Sequence, residues 1–384
     1  MATTTAPGPV TDKLSERIGR IEISATLAVV NEADKLRANG VDLVDFGAGE
    51  PHFATPQHIK DAAIAAIQSN FTKYTPVGGT SELRDAIVHR HAVDFDSDYR
   101  REEAIASVGG KHALFNAVQV LVDHHDEVII PVPYWVSFKD IVRYAGGTPV
   151  YVEGDEARGF AISASDIERA ITSRTKAIIL NSPNNPSGAV MNPEDMAAIM
   201  RLAAQRGIWV ISDECYVYLN FTAKKFSLGS LREYRDRMLV IGSLSKTYAM
   251  TGWRLGYALG PGAVIQAMQK LQSQSTSNPT SIVQKAAVAA LKGPVLRGGD
   301  AGGLHAAPRP GGRRPACDSG NPLQLARGSV LRISERCGVL WARQLDERGR
   351  RCRPPAPPGP CGDGSGRRLR HQRSHPRFLC HVGR

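Results

Sequence analysis

The stretch MLVIGSLSKTYAMTGWRLGYALGP, residues 238–261, joins two short apolar runs through a polar segment that contains one lysine. Both runs are apolar at successive positions, the pattern of strands buried on both faces of a sheet. Lys246 thus falls just past the end of a buried strand, with Ser243 and Ser245 before it and Arg254 after it. In open α/β sheets ligands sit off the carboxyl ends of the strands. A lone lysine is ordinarily a solvated surface residue, so the rest of the chain has to decide its meaning.

Upstream, the same kind of run recurs as AIASVGG, DEVIIPVPYW, TPVYVEG, KAIILNSPNNP and IWVISDECY. Between many of them lie amphipathic stretches such as HIKDAAIAAIQS and NPEDMAAIMRLAAQR, with apolar residues three and four apart. This alternation predicts an α/β fold, a mostly parallel sheet with helices on both sides.

Composition splits the chain in two. Residues 1–294 carry 30 Lys and Arg against 31 Asp and Glu, whereas residues 295–384 carry 18 Arg, no Lys and six acids. The formal charge of +11 therefore comes entirely from the tail, which also holds five of the six cysteines. With 15 Gly and 10 Pro and no helical or strand period, the tail has the composition of low-complexity chain. Its arginines are scattered and few aromatics lie among them, so a nucleic-acid arm is not favoured. Its cysteines show no paired C-x-x-C spacing, so no metal site is expected. The body has one cysteine, no apolar run of membrane-spanning length and no secretory leader pattern. The expectation is a cytoplasmic protein.

The polar motifs cluster at strand ends. SVGGKHALFNAVQVL (107–121) is strand, Gly-Gly, then helix, and the helix start at Gly110 and Lys111 offers free N–H groups to an anion. VPYWVSF places Trp135 where it can stack on a planar ring or cap the core. NSPNNPSG brings Asn184 and Asn185, equally readable as turn residues. ISDECY puts Asp213 and Tyr216 after the next strand, where an aspartate alone reads as a helix cap. Taken together, they meet the needs of pyridoxal 5'-phosphate. Asp213 suits its ring nitrogen, Trp135 its ring face, Asn185 and Tyr216 its phenolic oxygen, and Lys246 its aldehyde. Gly110, Lys111, Ser243, Ser245 and Arg254 suit its phosphate.

On NSPNNPSGAV and SLSKTYAMTGWRLGYALGP, residues 11–293 resemble the class I aminotransferases of the fold-type-I pyridoxal-phosphate family, near the bacterial aspartate aminotransferase branch. The resemblance implies a large domain with a mostly parallel seven-stranded sheet. It implies that Lys246 carries the cofactor and then shuttles the proton, with Asp213 and Tyr216 beside it. It also implies that Tyr74 of KYTPVGG reaches the phosphate of a partner subunit in a homodimer. Gly49 of GAGEPHF resembles the glycine beside the substrate carboxylate, where Trp135 and Asn185 also lie, and Thr26 of SATLAVV approaches the distal carboxylate. The implied substrates are an amino acid and a 2-oxo acid, with aspartate favoured. Aromatic, kynurenine and alanine transaminases, decarboxylases and C–S lyases remain open within the same fold.

The expected domains are an N-terminal arm with part of a small domain (1–50), a cofactor-binding large domain (51–293) and an aberrant, disordered tail (294–384). The family ends in a small domain whose R-x-S-Y-A-T-S-like motif grips the substrate α-carboxylate, and this chain does not contain that motif. Read one nucleotide late, codons for RGGDAGGL (297–304) permit E-E-M-R-A-A-Y, and codons for HPRFLCHVGR (375–384) permit I-R-A-S-Y-A-T-S. The tail is therefore expected to be an out-of-frame translation beginning near 293–296, with the small domain incomplete. The competing expectation is a catalytically dead remnant.

Overall fold

A computed structural model of the chain describes residues 14–41, 49–51, 53–221 and 225–295, without the side chains of 25–27. The Thr26 side chain and the whole tail beyond residue 295 lie outside what it describes.

All seven apolar runs are strands: β1 (Ala104–Ser107), β2 (Glu127–Val132), β3 (Thr148–Glu153), β4 (Thr175–Asn181), β5 (Trp209–Asp213), β6 (Met238–Ser243) and β7 (Gly256–Leu259). They form one sheet in the order β1-β7-β6-β5-β4-β2-β3. The run from β6 through β5, β4 and β2 to β3 is parallel, and β7 is antiparallel to both its neighbours, β1 and β6. An apolar run does not encode strand direction, so this one reversal was not readable from periodicity.

The helices are α1 (Glu16–Gly19), α2 (Ala25–Ala38), α3 (Gln57–Gln68), α4 (Ser81–Phe95), α5 (Gly110–Leu121), α6 (Ser137–Ala145), α7 (Ala164–Ala170), α8 (Pro193–Gln205), α9 (Leu244–Thr247), α10 (Gly262–Ser273) and α11 (Ser281–Lys292). The amphipathic stretches predicted as helices are α3 and α8. Helix starts follow local chemistry. Thr80 caps α4 by accepting from Leu83 N, and Asn192 caps α8 ahead of Pro193, whose missing N–H costs nothing in the first turn.

Two apolar layers sandwich the sheet. One, around Ile129, Ile178, Val210 and Val240, packs against α3, α4, α8 and α11. The other, around Ile130, Ile179, Ile211 and Ile241, packs against α5, α6 and α10. Alternate residues of each strand serve opposite layers, which is why these strands are apolar throughout. Among the described residues no helix is long and apolar enough to cross a membrane.

Candidate active site

The carboxyl ends of β4, β5 and β6 and the turn after β1 converge on Lys246. The chain reverses after β6, and Ser243 accepts a hydrogen bond from Ser245 N at 3.2 Å. That turn sends Lys246 back toward the segment at Gly49, whose carbonyl accepts from Lys246 Nζ. The segment is fastened to the lysine loop by Thr251 Oγ1 donating to Glu50 (2.6 Å) and Thr55 Oγ1 donating to Ala249 O (2.5 Å). Burial lowers the pKa of Lys246, the nearby Arg254 adds to the fall, and Glu50 opposes it.

β7 returns beside β6, with Gly256 opposite both Ser243 and Ser107. A Cβ on Gly256 would lie 2.2 Å from Gly110 N, and one on Gly109 would lie 2.4 Å from Arg254 Nη2. Gly109 also has φ +89°, a left-handed conformation that a side chain disfavours. The turn into α5 is thus pressed against β7, with the Arg254 guanidinium lying on it. Arg254 (φ 55°) and Ala249 (φ 51°) are both left-handed, strain of about 1–3 kcal/mol each held by the surrounding packing.

At the other end, Asp213 ends β5 with 7% of its surface exposed. It accepts from Cys215 N at 3.1 Å, and burial, reinforced by Glu214, pushes its carboxyl from 3.8 up to about 6. Tyr216 OH accepts from Asn185 Nδ2 at 3.3 Å, while Asn185 Oδ1 is buried without a partner. Burial holds Tyr216 well above the usual phenol range, so it stays a neutral donor.

The two asparagines separate. Asn184 accepts from Ser187 N and Oγ and donates to Pro133 O, which makes it a turn residue. Asn185 faces Tyr216. Asn181, not singled out in the sequence, joins the two strand ends by accepting from Asn185 N and donating to Asp213 O.

Trp135 is half-buried, meets Phe138 edge-on at 5.6 Å, and carries the Lys111 ammonium 4.9 Å from its ring centroid. Lys111 is expected from the sequence to act through its backbone only; its side chain belongs to the site as well, its pKa lowered by burial and by Arg254. Cys215 was also missed. Its thiol interacts with Ser243, Asp213 and Lys246, and burial pushes it up to about 12, so it stays a neutral thiol. Tyr74, by contrast, is 92% exposed and apart from these groups. Among the described residues no group of three or more His, Cys, Asp or Glu could hold a metal ion.

The family profile described as aminotransferase class I and II matches residues 41–300. The aspartate aminotransferase of Geobacillus stearothermophilus is 49% identical over 284 residues, 73% of this chain and 72% of the relative. The aspartate/prephenate aminotransferase of Thermus thermophilus is 46% identical over 278 residues, 72% of each. A solved aspartate aminotransferase from Thermus thermophilus with maleate superposes with a TM-score of 0.71 at 45% identity, covering 73% of this chain and 72% of that one. The chain belongs to the class I and II aminotransferases, which are pyridoxal-phosphate enzymes. Residues 301–384 lie beyond the family match.

The residues fit that cofactor. A buried carboxylate with its pKa raised for want of a cation suits a protonated ring nitrogen. Paired Asn and Tyr with one amide oxygen unsatisfied suit a polar ring substituent. A glycine turn with no room for Cβ, under a guanidinium, suits a phosphate.

Proposed function

We propose that this aminotransferase exchanges an amino group between L-aspartate and 2-oxoglutarate. The observation that carries the dicarboxylate is Lys111. It is a second cation beside Arg254, held over Trp135 within the same site as Lys246. The names of the relatives support the reading, as does maleate, a four-carbon dicarboxylate, in the Thermus thermophilus structure.

When bound, pyridoxal phosphate supplies an electron sink for the pair left as the substrate Cα–H bond breaks. The chain does the rest. Lys246 would hold the cofactor, and its Nζ would take the proton from the substrate Cα. Its lowered pKa keeps more of the amine neutral and basic. Asp213 keeps the ring nitrogen protonated. Tyr216 and Asn185 hold the ring oxygen, and Trp135 covers a ring face. Gly110, the backbone of Lys111, Ser243, Ser245 and Arg254 hold the phosphate. Gly49 lies beside the substrate carboxylate. Thr26 stays proposed for the distal carboxylate on the resemblance alone.

Tyr74 is assigned to the phosphate of a second copy in a homodimer, and the protein is placed in the cytoplasm as part of the same reading. The exposure of Tyr74 supports the dimer, together with half-exposed Ile64 and Ile67 on the preceding helix. Residues 51–293 form the cofactor-binding domain and 1–50 an arm with part of a small domain. Residues 294–384 replace the C-terminal small domain by a change of reading frame.

Loss of one bidentate carboxylate contact costs about 1.5–3 kcal/mol. Loss of site closure adds to it. The chain should therefore be an inefficient transaminase. Two assays test this. Activity with aspartate, alanine, phenylalanine and kynurenine is measured for the chain and for a gene corrected by one nucleotide near codon 295. Rescue with aspartate foremost supports both readings. Equal activity and solubility of the two proteins overturns the frame change, and preference for kynurenine or phenylalanine overturns aspartate.

A further inference from the structure

Gln272 lies in the last turn of α10 with 0% of its surface exposed, and all four hydrogen-bonding positions of its amide are used. Oε1 accepts from Ser107 Oγ at 2.7 Å and from Asn116 Nδ2 at 3.1 Å. Nε2 donates to Val77 O at 2.8 Å and to Ala106 O at 2.9 Å. One amide therefore joins the end of β1, helix α5 and the loop 71–80. The route follows from the reversed strand. β7 runs antiparallel to β1, so α10 starts at the far end of β1. Over its 12 residues, about 18 Å, it comes back to Ser107.

The joined segments are those of the proposed site. Ser107 immediately precedes the turn at Gly109 and Gly110, and Asn116 sits on the helix that this turn opens. The loop 71–80 carries Tyr74. It is held again by Gln284, also 0% exposed, which donates to Thr75 Oγ1 (2.8 Å) and accepts from Thr80 N (2.9 Å). Ala106 N donates to Gly78 O at 2.9 Å, and Ser281 Oγ to Phe71 O at 2.9 Å. An exposed tyrosine on a loop fastened at so many points is a fixed arm. A buried amide satisfied at every position allows little play between the arm and the turn.

We propose that Gln272 is a positioning residue for two cofactor phosphates at once. Through Ser107 and Asn116 it fixes the phosphate turn of its own subunit. Through Val77 it fixes the arm that presents Tyr74 to a second copy of the chain. The inference rests on the dimer proposed above.

The test uses full-length hybrid dimers in which one subunit carries Lys246→Ala, so that lysine-bound cofactor absorbance reports the other subunit's site alone. Gln272→Met is placed in either subunit, and cofactor retention is titrated. Loss of about tenfold is expected in both arrangements. When Gln272→Met lies in the subunit without Lys246, the loss should vanish if that subunit already carries Tyr74→Phe. Ser107→Ala leaves the Val77 bond intact and should act only in the subunit whose site is read. Gln272→Glu, which keeps Oε acceptors but loses the donations to Val77 and Ala106, serves as the milder variant if Gln272→Met does not fold. No loss across the interface, or one indifferent to Tyr74, overturns the inference while leaving the dimer standing. A monomer in sedimentation removes the dimer and this inference with it.

Discussion

Around Gly109, Gly110 and Gly256 the site is made of backbone, with no room for a side chain. Around Asp213, Asn185 and Tyr216 it is made of side chains withdrawn from water. The glycine end offers close approach to backbone, since no Cβ stands in the way. The carboxylate end works by burial, which leaves a charge wanting a partner. Lys246 stands between them and answers to both, since burial and Arg254 each lower its pKa. The difference separates retention from turnover. Changes at the glycine end should weaken cofactor binding, and changes at the carboxylate end should slow chemistry in protein that still binds.

The hardest test of that division is Lys246→Ala, which should lower turnover by about 10⁴-fold while leaving non-covalent cofactor binding measurable, since both ends remain. Persistent lysine-type absorbance in a folded variant, without added amine, would remove the assignment. Asp213→Asn comes next. An amide cannot hold the ring nitrogen protonated, and breaking a buried charged pair costs about 3–5 kcal/mol, so turnover should fall by roughly 10²–10⁴. Near-normal turnover per bound cofactor would erase the carboxylate end.

Apoprotein stability isolates the same carboxyl from catalysis. Its folded pKa, about 6, is raised above the ordinary 3.8, so the folded state favours the protonated form. That contribution is complete below pH 4 and lost as pH rises through 6. Above pH 7, apo Asp213→Asn should exceed the unmodified apoprotein by on the order of 3 kcal/mol in urea unfolding, and the two should coincide below pH 4. A gap independent of pH would mean that the substitution acts through packing.

Gly256→Ala places a Cβ against Gly110 N. It should cost about 1–3 kcal/mol, seen as weaker cofactor retention with turnover per bound site nearly unchanged. The smallest expected effect is Tyr216→Phe, about 1 kcal/mol or roughly fivefold in turnover, from one lost hydroxyl beside Asn185. If Gly256→Ala slowed chemistry more than Tyr216→Phe, the division between the two ends would fail.

How much of this was readable from residues alone follows the same line. Short-range signals carried the strands, the glycine turn and the lysine motif, because each depends on neighbours a few positions away. Asp213 and Tyr216 were readable as residue types, but the raised carboxyl is a product of burial that no spacing encodes. Gln272 could not be found, because its partners lie 165, 156 and 195 positions away and a glutamine near a helix end is ordinary. Lys111 was credited with its backbone only, since the ring its ammonium covers belongs to the loop after β2.

The place of β7 in the sheet has a consequence for synthesis. Among the described strands β1 pairs with β7 alone, and Ala104 waits for Leu259. At 5–20 residues per second the ribosome needs roughly 8–30 s to make the chain between them. Through that interval β1 and the turn after it have no sheet to join, and the open apolar edge of the growing sheet passes from β4 to β5 and last to β6. The nascent chain therefore lengthens for seconds with a growing sheet and an unpaired β1. Chaperone binding should concentrate in that interval, before the turn after β1 can meet β7.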